Sequence, residues 1–226
     1  MLPIVFVINL ESRRDRWRHV ENELSRLQLL AVRIDAVSVP PNNKYFTKLN
    51  VAACWESHKK ALRAFLDSGE PFALILEDDF KFLNQYQDRN LTDLLEAKID
   101  FLQIGFLYTS LREYAYIKME NTFDLAVRIY GVLEEVLKRK SKSEKNLVNE
   151  RKGLPYKIIL SDIRPGAHAY IVNRRAAEYL LVLNTPTFLS TDDLFMALGP
   201  MRHIRMGRLR KTIVDQIQSI SSINPR

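Results

Sequence analysis

Glu77-Asp78-Asp79 places three carboxylates in succession, directly after the apolar run Phe72 to Leu76. A short continuous apolar run of this kind reads as a buried strand, so the acids stand at a strand's C-terminal end. Adjacent carboxylates repel one another, and core packing gives no reason for them. A hard divalent cation such as Mg²⁺ or Mn²⁺ relieves the repulsion, taking one or two protein carboxylates and completing its shell with water and substrate phosphates. The pattern points to a diphosphate-bearing substrate. The competing reading is a solvated acid cluster that simply closes a surface strand.

Ser12-Arg13-Arg14-Asp15-Arg16 sets three arginines at the first turn of a helix, where the helix dipole disfavours cations. Breaches of a local rule concentrate at functional sites, and helix N-terminal amides together with guanidinium forks suit a phosphate anion. Surface pairing of these arginines with Glu11 and Asp15 is the alternative. His58 falls on an apolar helical stripe, the setting of a hydrogen-bonded core histidine. Cys54 shares that stripe and reads as a small buried hydrophobe, with nothing nearby to activate a thiol. Thr191-Asp192-Asp193 offers a helix cap followed by two acids.

The elements that position these groups follow from periodicity. Leu2 to Leu10 reads as a central strand, and Ser12 then caps a helix carrying Trp17, Val20, Leu24 and Leu27 at helical spacing. Ala31 to Ile34 gives a second strand and Pro40 to Asn50 a loop. The next helix carries Cys54, His58, Ala61, Leu62 and Phe65 on one stripe and ends at Gly69 and Pro71. Further strands are expected at Asp100 to Gly105, Lys157 to Leu160 and His168 to Val172. Helices are expected around Leu125 to Leu137 and through Ala176, Leu180 and Leu181. Strands alternating with helices predict an α/β sheet, whose ligands sit outside the carboxyl ends of the strands.

At 226 residues the chain fits one domain spanning 1–226, and 46% apolar with 27% charged residues excludes a disordered class. No apolar run approaches the roughly 20 residues that cross a bilayer. The opening strand lacks a basic leader and a cleavage site, so the expected location is the cytoplasm, with peripheral membrane contact as an extension. The single cysteine excludes an internal disulfide. The net charge of +7 is concentrated in Lys138 to Lys152 and in Arg202 to Lys211, each +5, leaving the rest of the chain net acidic. Local basicity of this kind suits contact with a diphosphate, an acidic acceptor or an anionic membrane surface. The run near 138–152 reads as a basic, mobile insertion. Neither basic segment interleaves aromatic residues, which argues against a nucleic-acid partner despite a pI of 9.5.

Together these segments resemble glycosyltransferase family 25, the group that includes lipooligosaccharide biosynthesis glycosyltransferases and collagen galactosyltransferases. Ile8 to Arg16 fits the family's opening pattern (INL, two residues, R, one residue, DR), Ala53 to His58 its AC-x-x-SH element, and Leu74 to Asp79 its LILEDD element. Gly166 to Val172 with Arg174 fits a later G-x-HAYI-x-x-R element, and weaker similarity continues through Asp192-Asp193 to Val214, Gln216 and Ser219. Tyr108 to Tyr156 matches least. Asn50 and Val51 depart from the glycine and glutamate usual before the AC element.

The resemblance implies a GT-A type fold, Rossmann-like, with a mainly parallel mixed sheet flanked by helices. It implies transfer of a hexose, galactose or glucose, from a nucleotide-sugar donor such as a UDP-hexose, with Mn²⁺ or Mg²⁺ and inversion at the anomeric carbon. The acceptor would be a glycan, a glycolipid or a hydroxylysine-type protein hydroxyl, and lipopolysaccharide biosynthesis is the implied setting. Asn9, Leu10, Arg13 and Arg16 would hold the nucleotide, with Asp35, Ser57, Glu77 and Asp78 in the same donor set. Asp79 and Glu77 would contact the metal, with His203 as a further metal or diphosphate ligand. Asp192 or Asp193 is the expected general base and His168 the second choice. A catalytically idle nucleotide-sugar-binding domain is the alternative function.

Overall fold

The apolar opening forms strand β1 (Ile4–Asn9), and its alternate side chains enter two different cores. Phe6 and Ile8 join one cluster while Val5 and Val7 join the other. A strand buried on both faces needs cover on both, and helices supply it. The structure is a computed structural model that describes residues 3–38, 49–83, 99–107, 158–185, 187–201 and 203–217. Helix α1 (Arg14–Arg26) covers the Val5 face through Val20 and Leu24. Helices α2 (Leu49–Ser68), α3 (Arg174–Val182) and α4 (Thr191–Leu198) cover the Phe6 face through Trp55, Leu62, Phe65, Leu180 and Phe195. Gly69, at φ +77°, takes the left-handed conformation that lets α2 stop.

The remaining strands are β2 (Ala31–Asp35), β3 (Phe72–Glu77), β4 (Phe80–Phe82), β5 (Phe101–Gly105), β6 (Ile158–Leu160), β7 (Ala169–Asn173), β8 (Met206–Leu209) and β9 (Val214–Gln216). Their order is β2-β1-β3-β7-β5-β8-β6, and the β4–β9 pair joins at the end of β5. The strands β1, β2, β3, β5, β8 and β9 run one way, and β4, β6 and β7 run against them. The expected α/β architecture with a mixed, mainly parallel sheet is therefore the one observed. From β1 the chain passes through α1 to β2 on one side. It then returns through α2, on the opposite face, to β3 on the other side of β1. That reversal opens a crevice at the carboxyl ends of β1 and β3.

Several local expectations are corrected. Ser12 is not the cap of α1: Arg13 stands at the N-cap and makes no side-chain capping bond. Ser190, not Thr191, caps α4. The second basic cluster is built partly into the sheet, because β8 runs through it. Arg208 is buried there, its guanidinium 2.6 Å from Asp162 and over the ring of Phe106. Arg205, Arg210 and Lys211 remain exposed. The basic run 138–152, the expected helix 125–137 and most of the loop 40–50 lie outside the described residues. Among the described residues no helix is long and apolar enough to cross a membrane.

Candidate active site

Strand β3 delivers the acids to the crevice. Glu77 is its last residue, and Asp78 and Asp79 form the turn into β4, a hairpin-like reversal that β9 holds from the other side. Asp79 is fastened twice: its carbonyl accepts from the Ile217 amide at 2.8 Å and its Oδ1 from Gln216 Nε2 at 3.4 Å. Asp78 is fastened by Asn9, whose Nδ2 donates to Asp78 Oδ2 at 2.7 Å. Arg16, in the first turn of α1, lies 2.7 Å from Asp78 Oδ1 and 3.3 Å from Asp79 Oδ2. One guanidinium thus serves two carboxylates. Burial and the neighbouring charge of Glu77 still push the Asp79 carboxyl up to about 6.

Glu77 is held from helix α2. His58 Nε2 lies 3.3 Å from Glu77 Oε1, and the other ring nitrogen, Nδ1, lies 2.9 Å from the Tyr170 hydroxyl. Burial pushes the Glu77 carboxyl up, but the hydrogen bond from His58 and the charges of His58, His168 and Arg16 outweigh it, so the group stays below its ordinary value. Cys54 Sγ lies 3.9 Å from the same Glu77 oxygen and 3.4 Å from Thr191 Oγ1 at the start of α4. That contact brings the N-terminus of α4 against the wall of the crevice. Asp192 follows Thr191; burial first and the charge of Glu77 second push its carboxyl up to about 6, while the Gly166 amide bonds to it. The crevice holds about 900 Å³ including its mouth, and its lining includes Leu10, Arg16, Val37, Ser57, His58 and all three acids.

The profile of glycosyltransferase family 25, described as an LPS biosynthesis protein family, matches residues 2–196. The chain belongs to glycosyltransferase family 25. No curated protein sequence matches it. Among solved structures it is similar to A197 from STIV, at 13% identity and a TM-score of 0.45 over 95% of this chain and 83% of that one. It is also similar to a glycosyltransferase involved in the glycosylation of the major capsid of PBCV-1, at 9% identity and a TM-score of 0.48 over 96% and 95%. Membership rests on the profile match alone.

In this family 25 glycosyltransferase, an enzyme of nucleotide-sugar donors and glycan-type acceptors, the crevice gathers most of the residues singled out from the sequence. Leu10, Arg16, Ser57, Glu77, Asp78 and Asp79 line it, and Asn9 stands behind Asp78. Ser57 ties the wall together, accepting from the Val37 amide at 2.8 Å and donating to the Ala53 carbonyl at 2.7 Å. Asp35 sits exposed at the end of β2, paired in register with Asn9, its carboxylate 3.7 Å from Arg33. Arg13 is committed to Asp15 at 2.7 Å, the surface pairing weighed against a phosphate role.

Asp192, His168, Asp193 and His203 are not among the residues that line the crevice. His168 is fully buried where β7 begins, against Gly105 and Gly166, and burial lowers its basicity. Asp193 is folded into the cap of α4, its Oδ2 2.5 Å from Ser190 Oγ. His203 is exposed beside Tyr179 at the amino edge of β8, the opposite edge of the sheet from the acids. Three contributors were not anticipated. Cys54 and His58, one turn apart, share a helix face as their spacing dictates, but their meeting with Glu77 depends on how α2 packs on β3. Gln216 reaches Asp79 from β9, a strand too short to stand out in the sequence.

Proposed function

We propose that this glycosyltransferase binds the diphosphate of a nucleotide-sugar donor, a UDP-hexose carrying galactose or glucose, together with Mn²⁺ or Mg²⁺ at the carboxyl ends of β1 and β3. The hexose passes with inversion to a hydroxyl of a glycan, glycolipid or hydroxylysine-type acceptor. The observation that carries this reading is the charge balance of the acid turn. Three carboxylates face one crevice, two of them sharing the guanidinium of Arg16, and burial together with the charge of Glu77 pushes Asp79 up to about 6. A divalent cation matches that deficit, and Asp79 and Glu77 are the residues to hold it. When bound, the cation supplies charge stabilisation to the departing diphosphate.

The protein's own groups account for the rest. Leu10 and the turn after it, with Asn9 fixing Asp78, shape the nucleotide half of the crevice. Asp192 is the general base. Its carboxyl, poised near neutrality at about 6, takes the proton of the acceptor hydroxyl as that oxygen attacks C1 from the face opposite the diphosphate. The new C1–O bond forms while the C1–O bond to the diphosphate breaks, and the diphosphate leaves with the electron pair, so no covalent intermediate arises. The basic run 138–152 and the LPS biosynthesis description of the family favour an acidic or lipid-linked acceptor, met at the surface of an anionic membrane.

Screening nucleotide sugars for divalent-dependent hydrolysis tests the proposal. One UDP-hexose should be hydrolysed slowly with Mn²⁺ and not with a chelator. Donor binding without hydrolysis of any sugar would favour the idle nucleotide-sugar-binding domain instead.

A further inference from the structure

We propose that Cys54, His58 and Glu77 form a second metal site on the wall of the crevice, selective for a thiophilic divalent ion such as Zn²⁺ and distinct from the oxygen-only acids Asp78 and Asp79. Cys54 and His58 are four residues apart on α2, so both side chains leave the same helix face, and that face meets the end of β3. Their donor atoms and a Glu77 oxygen all lie within 4.8 Å of one another. The His58–Glu77 separation is 3.3 Å and the Cys54–Glu77 separation 3.9 Å. Metal–ligand bonds of about 2.0–2.3 Å in a tetrahedron set ligand atoms roughly 3.3–3.6 Å apart, so the His58–Glu77 pair already fits, the Cys54–Glu77 pair closes by a few tenths of an ångström, and the Cys54–His58 pair, within 4.8 Å, closes by up to about 1.3 Å.

The surroundings are those of a ligand set. The Tyr170 hydroxyl, 2.9 Å from His58 Nδ1, fixes the ring so that Nε2 faces Glu77, the outer hydrogen bond that metal-binding histidines commonly have. Thr191 Oγ1, 3.4 Å from Cys54 Sγ, is a hydrogen-bond partner for the sulfur. All three ligands line the crevice, which leaves a fourth position open towards it. Sulfur, nitrogen and one carboxylate oxygen favour Zn²⁺ or Co²⁺ over Mg²⁺. On binding, the S–H bond gives way to a sulfur–metal bond and the proton leaves to solvent. Because Glu77 belongs to both sites, zinc withdraws it from the donor site and inhibits transfer; this inhibitory role, unlike the site itself, rests on the donor reading above.

Titration of the purified full chain with Co²⁺, followed by absorption, tests the site directly. A thiolate-to-cobalt charge-transfer band with tetrahedral visible bands should saturate at one equivalent and be abolished by Zn²⁺. Cys54→Ser should remove the charge-transfer band and weaken Co²⁺ at least tenfold, and His58→Asn should weaken it comparably, with circular dichroism confirming the fold of each. Asp79→Asn should keep the band. Absence of the band in the folded wild type, its survival in Cys54→Ser, or its loss in Asp79→Asn would overturn the site. Zinc should also inhibit Mn²⁺-supported donor hydrolysis, and Cys54→Ser should relieve that inhibition. If no donor is hydrolysed but the cobalt band behaves as stated, the donor reading fails and the metal site stands.

Discussion

The guanidinium of Arg16 lies 2.7 Å from Asp78 Oδ1, clamping the first turn of α1 to the acid turn that ends β3. Both side chains are largely buried. Removing one partner of such a pair leaves the other charge without compensation, at a cost of about 3 kcal/mol for a site still partly hydrated. Arg16→Ala should therefore lower the thermal midpoint markedly, and Mn²⁺ should restore part of the loss by taking over the carboxylates. An unchanged midpoint would return Arg16 to the class of surface arginines.

The acids also set a pH dependence. Asp79 and Asp192 have folded pKa values raised from 3.8 to about 6, so between those values the folded protein holds protons that the unfolded chain has lost. Their contribution is fully present below about pH 4, declines as pH rises and is gone above about 6, a change on the order of 3 kcal/mol per group. Glu77, shifted the other way, contributes stability that falls only at lower pH. Urea denaturation in chelator should show a less stable protein at pH 7.5 than at pH 5, and Mn²⁺ should narrow the gap. Equal stability at the two pH values in chelator would contradict this.

Asp192 and Asp193, neighbours in sequence, should separate cleanly in mutants. Asp192→Asn should reduce kcat by about 10²–10⁴ while donor affinity persists. Asp193→Ala should instead cost about 1 kcal/mol of stability through the lost bond to Ser190, with a far smaller effect on kcat. The reverse order in kcat would move the base to Asp193.

His168 should prove to be a packing residue. A Cβ on Gly105 would sit 2.6 Å from His168 Nε2, so Gly105→Ala should destabilise the fold by about 1–3 kcal/mol. His168→Asn should leave the acidic limb of the pH–rate profile, where a general base becomes protonated, in place. Disappearance of that limb would make His168 the base.

The acid turn was legible because the five apolar residues before it can only be a buried strand, and the two-faced burial of β1 was legible for the same reason. The clamp on the acids was not: Arg16 and Asp78 are 62 residues apart, and their meeting depends on α1 packing against β1 and β4. The arginine-rich turn stood out for breaking the dipole rule, yet its two outcomes differ by residue, Arg13 pairing locally with Asp15 and Arg16 with the acids. Strand β8 was hidden by its own composition. Met-Gly-Arg-Leu carries a glycine and an arginine, and Arg208 is tolerated inside only because Asp162 neutralises it from 46 residues away. The inert reading of Cys54 followed from its stripe, which does not reveal that the stripe ends against Glu77.

The basic run 138–152 is proposed to meet the acceptor. Neutralising Lys138, Lys140, Lys142 and Lys145 should lower transfer to an acidic acceptor on anionic vesicles, with the loss shrinking at high salt, while donor hydrolysis persists. An equal fall in hydrolysis would assign the run to the diphosphate, and no change in either would leave it a solvated segment.

Calorimetric titration of UDP into the wild type and Asp79→Asn, each with Mn²⁺ and with a chelator, tests the donor site most directly. The account predicts measurable UDP affinity in the wild type with Mn²⁺ and at least tenfold weaker binding both in chelator and in Asp79→Asn. Equal affinity under all four conditions would contradict a cation-assisted diphosphate site at the end of β3.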